Sequence, residues 1–336
     1  MKTYTYFIGN DIGKSTVAVC VLDAQEKLLL QLSIPNTKGG METLAKRLEK
    51  LPHFKLENAL FCLEHTGLYC QPMLSYFYPR SADIWLDSAV RIKHSLGIKR
   101  TKTDKAEAYA IAKYCLRNQA DKQLFILTDN SLQRIRQLAQ QRQRLMNMAK
   151  ELTDLSQDYT AMGLTTELSL HRQSSDEVLK ILGKKIKDIE HQIGLEIKES
   201  DALKTNLKLL MSIPGVGKQT ALFMLIFTGN FTRFASAKKL ASYAGVAPFA
   251  YESGTSIRGR TKVNHMANTK LKWLLHMASM GAVKVKGEMR SYYERKVASG
   301  KNKMSVLNAV RNKLVHRMMA VIERQTVYQP VWEKIV

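Results

Sequence analysis

Four carboxylates in the first third of the chain, Asp11, Glu64, Asp104 and Glu107, have the types and spacing of a metal site assembled from separate elements. Asp11 follows an apolar run in a turn-rich segment, Glu64 closes another apolar run, and Asp104 and Glu107 stand three apart, on one face of a helix. Carboxylates that converge repel one another and require cations. Mg²⁺ takes oxygen ligands, and a pair of such ions can clamp both oxygens of a phosphoryl displacement. Singly, each acid also suits a cap or a solvated position, and Asp104 suits a helix N-terminus. A second chemistry lies far downstream in Tyr251–Arg260. Ser253 stands beside Gly254, and Arg258 and Arg260 are placed to hold a phosphate. A serine hydroxyl needs activation by a base or metal to act as a nucleophile, and Ser256 is nearly as well placed.

The elements that would position these groups follow from hydrophobic patterning. Tyr4–Gly9, Val17–Leu22 and Leu28–Ile34 read as strands of a meander, with a turn over Asn10–Lys14. A helix is expected over Gly40–Leu51, short strands over Ala59–Leu63 and Ala82–Leu86, and a strong helix over Ala106–Leu116. An Asp in a strand–turn–strand opening, a Glu closing the fourth strand and an acidic pair on a late helix resemble the RuvC/RNase H nuclease arrangement. His65, next to Glu64, reads as a hydrogen-bonded neighbour of such a site.

The middle of the chain changes character. Leu138, Leu145 and Leu152 recur every seven residues, and Leu179, Leu182, Ile186, Ile189 and Ile193 alternate spacings of three and four, a coiled-coil seam. Asp158–Ser175 reads as the connection, and either a helical hairpin or a dimerisation arm fits. From about Asp201 the chain reads as helical, with a polar insertion over Tyr251–Thr261. The segment Ser212–Lys218 before the apolar run Thr220–Phe227 resembles a helix–hairpin–helix, in which Gly215 and Gly217 admit a phosphate to the N–H groups near Lys218. A plain helix–helix turn is the alternative. The expected division is 1–125, 126–200 and 201–336, an α/β domain followed by two α regions.

Composition narrows the partner. The 336 residues carry 52 Lys and Arg against 29 Asp and Glu, a net +23, with ordinary apolar and charged fractions of 45% and 24%. Between Arg258 and Arg324, sixteen bases, including Lys262, face three acids, so more than half of the excess lies there. A smaller basic group, Lys93, Lys99, Arg100, Lys102 and Lys105, precedes or interrupts the acidic helix. This balance excludes an acidic disordered chain and points to a polyanion. The longest apolar stretch, Ala221–Phe227, is far below the roughly 20 residues of a membrane span, and the N-terminus lacks a signal core. Cys20, Cys62, Cys70 and Cys115 are scattered without a CxxC pair, so neither zinc nor a disulfide framework is expected, and a reducing cytosol is.

Five motifs occur in order: Asp11 after an apolar strand, Glu64-His65-Thr66-Gly67, Lys102-Thr103-Asp104-Lys105-Ala106-Glu107-Ala108, Ile213-Pro214-Gly215-Val216-Gly217 and Tyr251–Gly259. Together they resemble the DEDD insertion-sequence transposases, the IS-one-ten family, which includes bridge-RNA-guided recombinases and the Piv DNA invertase. The resemblance runs over nearly the whole chain. It implies a RuvC-like domain binding Mg²⁺ through Asp11, Glu64, Asp104 and Glu107, and a C-terminal transposase domain whose nucleophile maps onto Ser253. It further implies donor and target DNA as substrates, a structured guide RNA as partner, and dimers that assemble into tetramers with shared active sites. A bacterial cytoplasmic, nucleoid-associated protein is expected. Two departures stand out: the family's fourth acid is usually Asp where this chain has Glu107, and its usual small residue after the Glu is here His65. The competing expectations are a site-specific invertase, a RuvC-like hydrolytic nuclease in which water replaces Ser253, and a catalytically silent nucleic-acid-binding protein.

Overall fold

The computed structural model describes residues 2–95, 103–126, 130–253, 257–263 and 267–330, with the backbone alone at 130, 250–253 and 257–262. The chain forms two compact units, Met1–Leu127 and Thr128–Val336.

The first unit is a five-stranded mixed sheet. Its strands are β1 (Tyr6–Ile12), β2 (Thr16–Leu22), β3 (Leu28–Pro35), β4 (Ala59–Glu64) and β5 (Asp83–Asp87), in the order β3-β2-β1-β4-β5. β1, β2 and β3 form an antiparallel meander, while β4 runs parallel to β1 and β5 parallel to β4. Both faces are covered, so the central strands are buried along nearly their whole length. Alternation sorts the side chains. Ile8, Ile12, Val19, Phe61 and Leu63 pack with Met41, Leu44 and Leu48 of α1 (Lys38–Leu48) and with Met73, Leu74 and Phe77 of α2 (Gln71–Phe77). Phe7, Leu60, Cys62 and Trp85 face the other way, toward α3 (Ala89–Ser95) and α4 (Asp104–Arg117).

The second unit is almost entirely helical. α5 (Asn130–Met162) and α6 (Thr165–Lys198) form an antiparallel hairpin, with Arg134 against Glu196 at 2.8 Å and Arg142 against Glu190 at 2.6 Å. The connection expected over Asp158–Ser175 is helical except at Gly163 and Leu164, where Gly163 turns the chain at φ +71°. Ser and Thr there do not break the helices, because Thr160, Ser174 and Ser175 return their hydroxyls to the carbonyls four residues back. At the hairpin's open end, Leu132, Ile135, Ile193 and Ile197 enter one core with α7 (Asp201–Met211), α8 (Lys218–Thr228), α9 (Ala237–Tyr243), α10 (Thr269–Ala282), α11 (Glu288–Ala298) and α12 (Lys303–Arg324). The segment expected as a polar insertion is instead an antiparallel ribbon, β6 (Pro248–Ser253) with β7 (Ile257–Val263). Its arginines, lysine and glycines hide the strand alternation in the sequence.

Candidate active site

The sheet's parity decides where the acids point. Asp11 shares the face of Phe7 and Gly9, and Glu64 that of Leu60 and Cys62, so both look toward α4. Asp11 lies on β1 opposite Ala18 rather than in the expected turn, because the strand continues through buried Ile12 and the chain turns only at Gly13–Ser15. Parallel pairing registers Asn10 with Leu63, so Asp11 and Glu64 are one step past that pair on adjacent strands. The Asn10 amide nitrogen clamps the two strands together, donating to the Cys62 carbonyl at 3.1 Å.

α4 brings the other two acids. Its N-cap is Thr103, whose hydroxyl accepts from the Ala106 N–H, and Asp104 and Glu107 occupy its first turn, where the helix dipole favours negative charge. The helix can lie against β1 because residue 9 is glycine: a Cβ there would stand 2.2 Å from the Ala112 nitrogen and 2.3 Å from the Ala108 oxygen. Farther along, Glu26 binds Lys113 at 3.0 Å and Arg117 at 2.7 Å, holding the far end of α4 to the β2–β3 turn.

Asp11 senses the other three acids. Burial first, then the charges of Glu107, Asp104 and Glu64, push the Asp11 carboxyl up from its ordinary 3.8 to about 6. Among the described residues, no group of three or more His, Cys, Asp or Glu side chains is already drawn close enough to hold one metal ion. The donor chemistry nevertheless fits one. The set is all carboxylate, which suits a hard divalent cation, and opposite charge would relieve the repulsion felt at Asp11.

One acid in this neighbourhood was not anticipated. Asp87 ends β5 in register with Glu64, and its carboxylate accepts a 2.7 Å hydrogen bond from the Tyr114 hydroxyl of α4. It also accepts from the Ser88 N–H and pairs with Arg91 at 3.6 Å, so its oxygens tie β5 to α4. The signal was an acid one residue past the expected strand end, the position Glu64 occupies on β4. His65 is exposed, accepts from the Gly67 N–H through Nδ1 and donates its own N–H to the Asp87 carbonyl. Lys93 and Lys105 are exposed, whereas Lys99, Arg100 and Lys102 lie outside the described residues.

In the second unit, Ser253 ends β6, paired with Ile257 across the ribbon's tip, and Arg258, Arg260 and Lys262 follow on β7. Ser256 lies outside the described residues. Between α7 and α8 the two glycines do different things. Gly215, at φ +84°, packs against α10, where a Cβ would meet the Ala278 oxygen at 2.4 Å and the Ala282 nitrogen at 2.5 Å. That contact by itself requires glycine there. Gly217 is the exposed N-cap of α8 with open space around it, and Lys218 beside it is exposed as well.

Comparison with known sequences places this geometry. A DEDD-type IS110 family described as "Transposase" matches residues 8–161, from β1 through nearly all of α5. The family described as "Transposase IS116/IS110/IS902 family" matches residues 207–294, from α7 into α11. The chain belongs to this transposase family. Among similar proteins are the pilin gene-inverting proteins of Moraxella lacunata and Moraxella bovis, each 27% identical over 332 residues, 96% of either chain. The "Insertion element IS110 uncharacterized 43.6 kDa protein" of Streptomyces coelicolor is 34% identical over 121 residues, covering 36% of this chain and 30% of that one. The transposase is thus a DNA-cutting and DNA-rejoining enzyme of a family that uses divalent metal. Among its described residues, no helix is long and apolar enough to cross a membrane.

Proposed function

We propose that this transposase cuts and rejoins DNA through a covalent ester between Ser253 and a DNA phosphate, with Mg²⁺ held by Asp11, Glu64, Asp104 and Glu107. The observation that carries the reading is the Asp11 carboxyl, pushed up by burial and then by the charges of Glu107, Asp104 and Glu64, on the sheet face that α4 covers. The strand order β3-β2-β1-β4-β5, with a meander followed by parallel strands, supports a RuvC/RNase H-like domain at 1–125. The α5–α6 hairpin supports a coiled-coil region at 126–200. The α7–α8 turn, with Gly217 and Lys218 exposed, supports a phosphate-binding helix–hairpin–helix in a transposase domain at 201–336.

In the reaction, the Ser253 oxygen loses its proton and forms a bond to phosphorus, while the bond from phosphorus to one flanking deoxyribose oxygen breaks and that oxygen leaves as a hydroxyl. The ester keeps the phosphate's bond energy, and attack by another strand's hydroxyl reverses the step onto new DNA. Asp11, Glu64, Asp104 and Glu107 would hold the metal, which when bound would supply Lewis-acid stabilisation of charge on the phosphate. Arg258, Arg260 and Lys262 hold the phosphate backbone beside the serine, and Lys99, Arg100 and Lys102 hold backbone near the acids. Acids and serine come from different units, which suits a dimer or tetramer in which subunits complete one another's sites. A structured guide RNA would supply the base pairing that backbone contacts cannot, since charge neutralisation carries no sequence information. The action is cytoplasmic, at the nucleoid.

A second reading, site-specific inversion, is favoured by similarity to the Moraxella pilin gene-inverting proteins along almost the entire chain. It shares every residue role and differs in the DNA sites joined. Trapping of a protein–DNA adduct tests the common chemistry: the wild type is expected to yield one, and Ser253→Ala none, with nucleic-acid binding kept. An adduct that persists in Ser253→Ala overturns the nucleophile.

A further inference from the structure

A second feature of the C-terminal unit is a cleft of about 870 Å³ between the base of the β6–β7 ribbon and the helices α10, α11 and α12. Val246, Pro248 and Val263 form its wall on the ribbon side. Lys272, Lys296, Lys301, Arg311 and Lys313 also line it, and no carboxylate does. Among the described residues none of the five has a carboxylate partner, whereas the nearby Arg290 and Arg317 are paired with Glu294 and Glu288. Five like charges around one concavity repel one another, with Lys313 partly offset by Glu288, and an anion would relieve that repulsion. The cleft volume exceeds what a phosphate alone needs and lies in the range of organic-ligand sites.

Its α12 wall has hydrogen-bonding capacity left over. Arg311 is only 8% exposed; its guanidinium meets His276 Nδ1 at 2.7 Å, but its Nε has no partner. The Oδ1 atoms of Asn308 and Asn312 are buried without donors. The Asn308 amide is oriented by its bond to the Val246 carbonyl at 3.1 Å, whereas Asn312 has no such anchor. A buried acceptor left unpaired costs about 1–3 kcal/mol, and a phosphate, itself an acceptor, cannot satisfy it. A ligand matching both features carries an anion at one end and N–H donors at the other. Tyr292 adds an aromatic ring, with Lys313 4.6 Å from its centroid.

We propose that this cleft takes one unpaired nucleotide of a nucleic-acid strand, its phosphate among the lysines and the amino edge of its base against Asn312. Adenine and cytosine present an exocyclic amino group on the edge a paired base uses, and thymine does not. A basic groove with an aromatic wall is the recurring platform for single strands. β6, whose first residue lines this cleft, ends at Ser253, so a nucleotide seated here lies at the foot of the element carrying the proposed nucleophile. The inference deepens the transposase reading by assigning a binding site for the strand, and it does not depend on serine chemistry.

Binding to the full-length protein tests it by fluorescence anisotropy with labelled twelve-mers: dA12, dT12, the ribose version of A12 and a mixed-sequence twelve-base-pair duplex. Lys296→Gln/Lys301→Gln, both surface changes, are expected to weaken dA12 binding about tenfold and to flatten the salt dependence by about 1.4 in log–log slope, with a smaller loss on the duplex. Asn312→Leu is expected to erase a several-fold preference for dA12 over dT12 while leaving the salt slope unchanged. An unchanged slope in the double variant, an equal loss on single strand and duplex, or a base preference that is absent or survives Asn312→Leu overturns the proposal. The tighter of the deoxy and ribo strands identifies which polymer supplies the nucleotide. Adduct trapping with the same double variant separates the two readings: an adduct with an unaltered slope rejects the cleft alone, and a flattened slope without any adduct, in wild type or variant, rejects the serine alone.

Discussion

The two units solve opposite electrostatic problems. In the first, a sheet buried on both faces gathers carboxylates at the edge of its core, and at Asp11 burial and neighbouring charge both oppose ionisation. In the second, cations accumulate around a cleft whose lining contains no acid at all. Neither arrangement is self-satisfied: one invites a cation and the other a polyanion. Their separation also shows how such a pair can coexist in one chain. Had acids and bases been interspersed, they would have neutralised each other as surface ion pairs worth little, as Lys150 and Asp154 do on α5.

The sharpest way to break this comparison is to remove a charge from one side. Asp11→Asn is expected to lower metal-dependent cleavage by more than the roughly 10–100-fold typical of residues that merely support a ligand, with DNA binding within about twofold of wild type. Comparable losses in binding and cleavage would show that the acids serve the fold rather than the chemistry.

The paired glycines give a subtler test, because each lets a helix touch backbone in its own unit. Gly9→Ala forces a Cβ into α4 and Gly215→Ala forces one into α10. Each is expected to cost about 1–3 kcal/mol by overpacking, measured by urea denaturation. At Gly215 the positive φ adds backbone strain. Gly9→Ala should abolish cleavage while sparing binding, because it displaces the helix that bears Asp104 and Glu107. Gly215→Ala should impair binding first. Identical profiles for the two would dissolve the division of labour.

The smallest effect is in the pH dependence of stability without metal. The folded protein holds the Asp11 proton more tightly than the unfolded chain does, so this residue's contribution is lost as pH rises from about 4 through about 6. Partial solvent access screens the effect to about 1 kcal/mol. The stability gap between Asp11→Asn and wild type should therefore widen across that interval and narrow when divalent metal is added. A gap that is flat in pH would mean that neither burial nor the neighbouring acids act on Asp11.

Much of this was legible in the residues themselves. The buried runs of β1, β2, β4 and β5 are mostly apolar segments, and α4 is legible from Asp104 and Glu107 at its start and the alanine-rich run that follows. Strand ends were harder: Ile12 keeps Asp11 on a strand where Asn and Gly suggest a turn, and Asp87 falls one residue beyond an apolar stretch. The β6–β7 ribbon was hidden because glycine and basic residues interrupt its alternation. The hairpin's end departs from its composition for a different reason. Composition rich in Ser and Thr matches a loop, but long-range packing of two amphipathic helices overrides weak local preference. That α4 carries Asp104 and Glu107 to the sheet face of Asp11 is a tertiary matter, which depends on parallel pairing of β1 with β4 and on a helix crossing both.

The turn at Gly163 has a consequence for how this protein can be altered. Two helices of 33 and 34 residues meet there with no slack between them, so the arm reaches roughly 50 Å at 1.5 Å per residue. Its reach is set by residue count alone, like the length of a ruler. Deleting seven residues from each side would shorten it by roughly 10 Å while leaving the seam in phase and the joint intact. Span is thus a separate dial on this molecule, adjustable without touching either pocket of charge.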